Sequence, residues 1–321
     1  MTTAHIPYIT QKQVASFLAP RPRDSHKGQF GTVAVIGGDN GMTGAALLAG
    51  RAALKLGAGC VHIGLLADNA PGVDMQQPEL MIRSAKDLLR TLPLPTPLPP
   101  AYVAGASAPC NLGVPLAGEA GEGVNVKTMF HPDVIAIGCG MGHSLNAQKI
   151  LHDVLKMEAA LVLDADALNI LAMRPDLRSL LFSRSAACVI TPHPGEAARL
   201  LGIGSAEVQS ARQTSAQELA KHLNCSVVLK GAGSLCVTRD GKTWLNPTGN
   251  PGMSTPGMGD VLSGMIAAFI AQGLSADNAM LLAVHLHGAA GDALAQQQAS
   301  IGMTATEVTE WARWLLNQWL K

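Results

Sequence analysis

The sequence predicts an α/β protein with a mainly parallel sheet covered by helices on both faces. Two patterns predict it. Short aliphatic runs are apolar at consecutive positions instead of alternate ones, as strands buried on both faces require. Each run then gives way to a Gly-rich or polar loop and a helical stretch of small residues, the alternation that builds βαβ units. Composition agrees. Charged residues make up 14% of the chain, against about 25% in an average domain. Glycine supplies 34 of 321 residues. Such a chain packs a core with many tight turns and is not a disordered one.

Taken in order, residues 32–36 (TVAVI) read as the first strand, ended by Gly37-Gly38 and followed by an Asp39-Asn40-Gly41 turn. Thr43 is placed to cap a helix through Ala45, Leu47, Leu48 and Leu54, with Lys55 in its last turn and Gly57 just beyond. Residues 60–63 form the next strand. Later, 134–137 lead into Gly138-Cys139-Gly140-Met141-Gly142, 160–163 into Asp164-Ala165-Asp166, 187–190 into Thr191-Pro192-His193-Pro194-Gly195, and 227–229 into Lys230-Gly231-Ala232-Gly233. In parallel sheets, ligands bind beyond the carboxyl ends of the strands, and these unusual loops all lie there. Residues 91–100 (TLPLPTPLPP) are half proline, and Gly, Ala and Pro dominate to about 126. This reads as an insertion in a single domain over 1–321, with no internal repeat.

Several classes are excluded. Lys+Arg and Asp+Glu are both 23, with no local basic cluster, so nucleic acid is not an expected partner. The longest apolar stretch, 261–271, is too short for a membrane span and contains Ser263 and Gly264. The N-terminal MTTAHIPYIT has neither basic nor apolar signal regions. The six cysteines (60, 110, 139, 188, 225, 236) show no paired spacing and read as buried thiols of a cytoplasmic protein.

The strongest functional signal is the stretch from Asn246 to Asp260 (NPTGNPGMSTPGMGD), followed at once by an apolar helical run from Val261. Gly257, Met258 and Gly259 would place backbone N–H groups at a helix N-terminus, where orphan donors and the helix dipole form an anion hole. Asp260 beside it is a candidate catalytic base, able to take a proton from an attacking hydroxyl. Phosphoryl transfer needs this combination. Gly-x-Gly-Asp alone arises by chance in roughly one chain in ten, and an acidic residue in a first helical turn can simply complement the dipole. The weight therefore rests on the whole stretch.

Lys230-Gly231-Ala232-Gly233-Ser234 could cradle phosphate, with Lys230 as a point charge, or be a plain hairpin turn. No P-loop motif occurs. In Thr191-Pro-His-Pro-Gly-Glu196, prolines hold His193 extended, and Glu196 could either orient a ligand or complement a helix dipole. Asp164, Asp166 and Asn169 could orient substrate or hold water around Mg²⁺, although Asp166 could equally be an N-cap. Gly138-x-Gly140-x-Gly142 lacks the Rossmann spacing. His285 and His287 fall on different helix faces, and Gly288 and Gly291 point to tight packing.

Six segments in order carry a resemblance: KGQFGTVAVIGG (27–38), GMTGAALLAGRAALKLGAG (41–59), DADALN (164–169), TPHPGE (191–196), LKGAGS (229–234) and NPTGNPGM…GMGDVLSG (246–264). Together they resemble the nucleotide-dependent NAD(P)H-hydrate dehydratase family, from about Ser25 to the C-terminus apart from 66–130. The resemblance implies a ribokinase-like three-layer αβα sandwich. It implies repair of hydrated NADH or NADPH: the ring hydroxyl is phosphorylated by ADP or ATP, and phosphate is then eliminated. It places Ala46, Gly140, His193 and Asp260 at the hydrate, and Lys230 to Ser234 with Gly259 at the nucleotide. Mg²⁺ as cofactor without a direct protein ligand, a homotetramer and functional pairing with a separate epimerase are further implications, and the chain is expected to lack epimerase activity itself. The family often has Gly-Pro-Gly where this chain has Gly138-Cys139-Gly140. Two other readings stand beside this one. A vitamin-precursor kinase of the same fold would share the Gly-x-Gly-Asp logic, and a non-catalytic nucleotide-binding regulator would need Asp260 lost, which it is not.

Overall fold

In the computed structural model, which describes residues 6–92, 131–298 and 300–320, the aliphatic runs become strands and the stretches between them helices. The first half holds α1 (Gln11–Ala15), β1 (Thr32–Gly37), α2 (Thr43–Lys55), β2 (Cys60–Leu65), β3 (Met81–Ser84), α3 (Ala85–Arg90), β4 (Val134–Ile137) and α4 (Leu145–Leu155). Next come β5 (Ala160–Leu163), α5 (Ala165–Met173), α6 (Pro175–Phe182), β6 (Cys188–Ile190), α7 (Pro194–Leu201), α8 (Ser205–Ser210) and α9 (Arg212–Leu223). The last elements are β7 (Ser226–Leu229), β8 (Leu235–Val237), β9 (Thr243–Leu245), α10 (Met258–Ala271), α11 (Ala276–Gln297) and α12 (Ala305–Trp319).

Among the described residues the strands form one sheet in the order β3-β2-β1-β4-β5-β6-β7-β8-β9. Every pairing from β3 to β7 is parallel, and the β7-β8 and β8-β9 pairings are antiparallel. Alternate strand residues feed two separate cores, as the two-residue strand period requires. Val33, Val35, Ala136, Val162 and Val228 pack against α2, α10, α11 and α12. Ala34, Ile36, Ile137, Leu163 and Leu229 pack against α3, α4, α5, α6, α7 and α9. This is the three-layer αβα sandwich expected. Strands β4, β6 and β7 are buried at every position, which is why their sequences do not alternate.

One helix start differs from expectation: Thr43 is the first helical residue of α2, and Met42 holds the capping position without a side-chain bond. α10 begins at Met258 behind Gly257, where the glycine-led helix start was expected. Strand β3 and helix α3 were not anticipated. β3 is an edge strand with no fully buried residue, so it lacks the apolar run that marks the others. Apart from 91 and 92, the Pro/Gly-rich segment around 91–126 lies outside the described residues.

Glycine lets α10 lie against α2. A Cβ on Gly264 would sit 2.1 Å from the Ala49 carbonyl oxygen, so Gly264→Ala must push the helices apart. Such overpacking costs about 3 kcal/mol, and thermal unfolding should shift down by roughly 4–5 °C. An unchanged Tm would show that the two helices part freely.

Candidate active site

The site grows from the carboxyl ends of the central strands. There the parallel ladder continues into the loops. Gly38 N–H donates to the Cys139 carbonyl (2.9 Å), Asp164 N–H to Ile137 (3.1 Å), Thr191 N–H to Leu163 (3.1 Å) and Lys230 N–H to Pro192 (2.9 Å). Each loop thus leaves its strand in a direction set by the ladder. Close approach needs glycine at Gly138, where φ is +124° and a Cβ would meet the Asp164 carbonyl oxygen at 1.9 Å. Next to that contact, Ala165 takes a left-handed φ of 48°. This conformation costs an L-residue roughly 1–2 kcal/mol, and strain of this kind persists where the surroundings over-determine it.

Asp164 is buried. Its Oδ1 accepts from Lys230 Nζ at 2.7 Å and its Oδ2 from Ser263 Oγ at 2.9 Å, with Thr191 also bonded to the carboxylate. Burial opposes its ionisation, but the Lys230 ammonium and the three donors override burial and hold the carboxyl below its ordinary range. Lys230 is raised in return: Asp164 and then Glu196 outweigh its own burial.

Asp260 stands in the first turn of α10, behind a Gly257 cap with φ +90°. A Cβ on Gly257 would meet Leu48 Cδ1 at 2.6 Å, so glycine is needed there for both conformation and space. The first N–H groups of α10 have no acceptor within the helix, and with the helix dipole they favour an anion. Burial, reinforced by the charge of Asp164, pushes the Asp260 carboxyl up to about 6. The Cys139 thiol, which hydrogen-bonds it, and Lys230 pull the other way, and Asp166 adds to the rise. Two neighbouring carboxylates are thereby separated: Asp164 stays ionised as the partner of Lys230, and Asp260 is poised to exchange a proton near neutrality.

The other expected residues surround this pair. His193 caps α7 in extended conformation, its Nδ1 accepting from Gly195 N–H at 2.9 Å. Glu196 completes the capping box by accepting His193 N–H at 2.8 Å, and it faces His193 Nε2 at 3.2 Å. Burial, with the charges of Lys230 and Arg199, keeps the His193 imidazole below its ordinary value. Asp166 accepts from Gly142 N–H (2.9 Å), pairs with His143 (2.9 Å) and bonds Asn169 Nδ2 (3.4 Å). Gly140 packs on the start of α2, with its Cβ position 2.8 Å from the Met42 carbonyl oxygen. Ala46 is fully buried one turn further on.

Beside Lys230 lies a cleft of about 670 Å³. The Lys230–Ser234 loop walls one side, and residues 246–254 with the start of α10 and the middle of α11 wall the other. Lys230 to Ser234 join the antiparallel β7 and β8, so the segment is a hairpin turn and a cleft wall at once. A Cβ on Gly259 would stand 3.1 Å from Lys230 Nζ and 3.3 Å from Asp164 Oδ2. The anion-accepting helix start therefore touches both the cleft and the Asp164–Lys230 pair.

Several supporting residues escaped the sequence reading. Arg212 of α9 donates to the carbonyls of Leu229, Lys230 and Gly233 at 3.2–3.4 Å, holding the hairpin loop. Asp292 of α11 holds the opposite wall through Gly249 N–H and Asn250 Nδ2, both at 2.9 Å. Gly288 admits Thr248, and Gly291 admits Met253, so the tight packing expected of these glycines is with the loop. His287 lines the cleft, its Nε2 without a partner among the described residues, and burial lowers its imidazole to about 4. In sequence, the 246–260 stretch marked the loop of this wall, and the Gly288 and Gly291 spacing marked the helix packed behind it.

The strand order, the glycine-led helix start and the carboxylate at the strand ends define a protein of the ribokinase-like class. The NAD(P)H-hydrate dehydratase family model matches residues 33–313, and the chain belongs to that family. It is 35% identical to the ADP-dependent (S)-NAD(P)H-hydrate dehydratase of Neisseria meningitidis over 305 residues, covering 93% of this chain and 89% of the relative. It is 37% identical to a bifunctional NAD(P)H-hydrate repair enzyme of Coxiella burnetii over 309 residues, covering 95% of this chain and 54% of that relative. The chain thus spans about half the length of its bifunctional relatives. In structure it is similar to the ADP/ATP-dependent NAD(P)H-hydrate dehydratase of Bacillus subtilis co-crystallised with ATP and Mg²⁺, with a TM-score of 0.78, 27% identity and coverage of 99% and 100% of the two chains.

Proposed function

We propose that this chain repairs hydrated NADH or NADPH by nucleotide-dependent dehydration, with ADP as the phosphoryl donor. The observation that supports it most is Asp260, tuned to about 6 at the mouth of a helix anion site and adjoining a cleft of nucleotide size. The name of the Neisseria relative favours ADP.

In this reading Asp260 accepts the proton of the ring hydroxyl as its oxygen bonds to the terminal phosphorus of ADP. The phosphorus–oxygen bond to AMP breaks. The first N–H groups of α10, at Gly257, Met258 and Gly259, stabilise the charge on the transferring group. The ring C–O bond then breaks, phosphate leaves with the electron pair, and loss of a neighbouring ring proton restores the dihydropyridine. Lys230 to Ser234 and Gly259 hold the nucleotide, and Ala46, Gly140 and His193 the hydrate.

Asp164, Asp166, Glu196 and Asn169 do not fit as direct ligands of Mg²⁺. Lys230 and Ser263 occupy Asp164, His143 and Gly142 occupy Asp166, His193 occupies Glu196, and Arg199 occupies the Asn169 carbonyl at 2.7 Å. Cys139, Asp164 and Asp260 converge within 4.8 Å, but the Lys230 ammonium is already seated against Asp164. The metal enters this reading only as a companion of the nucleotide phosphates. A homotetramer, a cytoplasmic setting and pairing with a separate epimerase complete the proposal. The bifunctional relatives support the pairing, and no described helix is long and apolar enough to cross a membrane.

The test is near-ultraviolet absorbance with hydrated NADH, Mg²⁺ and either ADP or ATP. A rise requiring one nucleotide establishes the reaction and its donor. No rise with either, from protein that still binds nucleotide, favours a kinase of the same fold. Arg212→Gln should raise the nucleotide KM about tenfold, since the two hydrogens of one Nη2 are shared among three carbonyls of the hairpin loop, a bond to a charged donor is worth about 1.5 kcal/mol or more, and only part of the loss reaches binding. An unchanged KM would show that the loop is held by its β-ladder alone.

A further inference from the structure

Cys139 stands apart from the residues assigned so far. It occupies the β4–α4 loop at the crevice between β1 and β4, and its carbonyl is already fixed by Gly38 N–H at 2.9 Å. A Cβ on Gly37 would meet that carbonyl at 2.2 Å, so only glycine there lets the loop lie this close to β1. The side chain is buried. Its Sγ lies within 4.8 Å of carboxylate oxygens of both Asp164 and Asp260, and its hydrogen bond goes to Asp260.

We infer that Cys139 is a positioning residue for the general base, its S–H donating to the Asp260 carboxylate and fixing both the orientation and the ionisation of that group. The inference rests on the function proposed above. Toward the ionised carboxylate, which has no proton to give, the thiol can act only as donor. Burial and the charges of Asp260 and Asp164 push it far above its ordinary range, so it stays protonated wherever Asp260 is ionised. The bond forms to ionised Asp260 and is weakened when Asp260 takes up a proton, so the thiol favours the form that can accept the substrate proton. Hydroxyl or thiol at this position can do this; a proline or alanine cannot.

The charged groups facing Asp260 are few. Asp164 and Asp166 come from the β5 end and Lys230 from the β7 end. His193 and Glu196 of α7 feel Lys230 and Asp164 in turn. None of these is removed by a change at Cys139, so the thiol's own effect can be read separately.

The experiment is the pH profile of kcat/KM for wild type, Cys139→Ala and Cys139→Ser. Loss of a weak donor to a carboxylate should raise the acidic midpoint by about 0.5–1 unit in the Ala variant. Activity then falls about 1.5- to threefold near pH 6.5 and stays close to wild type near pH 8.5, with the nucleotide KM unchanged. Ser should restore the wild-type midpoint. An unmoved midpoint in Cys139→Ala, an equal loss at every pH, or a Ser variant behaving like Ala overturns the inference. Absence of wild-type turnover at any pH is a different result and overturns the proposed reaction instead. A second readout needs no variant to fold. In infrared difference spectra of the wild-type protein against pH, an S–H stretching band should shift with the same midpoint as the Asp260 carboxylate. A carboxylate that titrates with no S–H band following it overturns the bond directly.

Discussion

Asp260→Asn is expected to lower kcat by about 10²–10⁴-fold, the usual worth of a general base, while nucleotide affinity holds and the protein becomes more stable. The gain follows from the direction of the shift. Burial and Asp164 raise the Asp260 carboxyl from its ordinary 3.8 to about 6, so the folded state binds the proton more tightly than the unfolded chain does. Stability from this group therefore falls as pH rises from about 4 to about 6. Above that the ionised carboxylate carries its full cost, on the order of 2–3 kcal/mol. Asparagine carries no such cost. The variant's Tm should exceed wild type by several degrees near pH 7.5, and the difference should close toward pH 4. A variant with wild-type turnover would remove Asp260 as the base. A variant inactive but no more stable would show that water already solvates the carboxylate.

Lys230→Met should have the largest effect on stability. It strands Asp164, a carboxylate 1% exposed, without the ammonium now 2.7 Å away. Breaking a buried pair from one side costs roughly 3–5 kcal/mol, so unfolding should move down by roughly 4–8 °C. The pair holds Asp164 below its ordinary range. Its contribution is thus present above about pH 4 and lost as pH falls through the lower folded value. Adding Asp164→Asn to Lys230→Met should recover much of the Tm, because the buried charge is gone, and none of the turnover. A single variant as stable as wild type would show that solvent reaching Lys230 already screens the pair.

The parts of the molecule legible in sequence are those where one physical demand dominates. A strand buried on both faces has to be apolar throughout, so 134–137 and 227–229 announced themselves. Gly257 and Gly259 were legible because a tight helix start excludes side chains, and Asp260 because it follows them. Strand β3 was hidden because an edge strand with polar residues satisfies no such demand. Thr43 misled because a threonine before a helical run resembles a cap, whereas the turn at Asp39–Met42 closes one residue earlier through Met42 N–H to the Asp39 carbonyl (2.8 Å). Arg212, Asp292 and Cys139 were illegible for another reason. Their partners lie on other elements, so only the folded chain gives them a role. Asp164 was half legible: its place after a strand marked it, but its pairing with Lys230 joins residues 66 apart.

The packing of α2 against α10 has a kinetic consequence. It unites residues 43–55 with residues 258–271, and the sheet face between them stays open until both are present. On a ribosome the N-terminal strands emerge long before their cover, and non-local closure of this kind is slow. The apolar face of β1 and β2 therefore waits for the last quarter of the chain, and Asp260 arrives with it. The α10 start with Asp260 and the cover of this sheet face both come from late sequence, so a half-made chain exposes apolar surface of the kind chaperones shield, and the base proposed here joins the carboxyl-end loops only when synthesis is nearly complete.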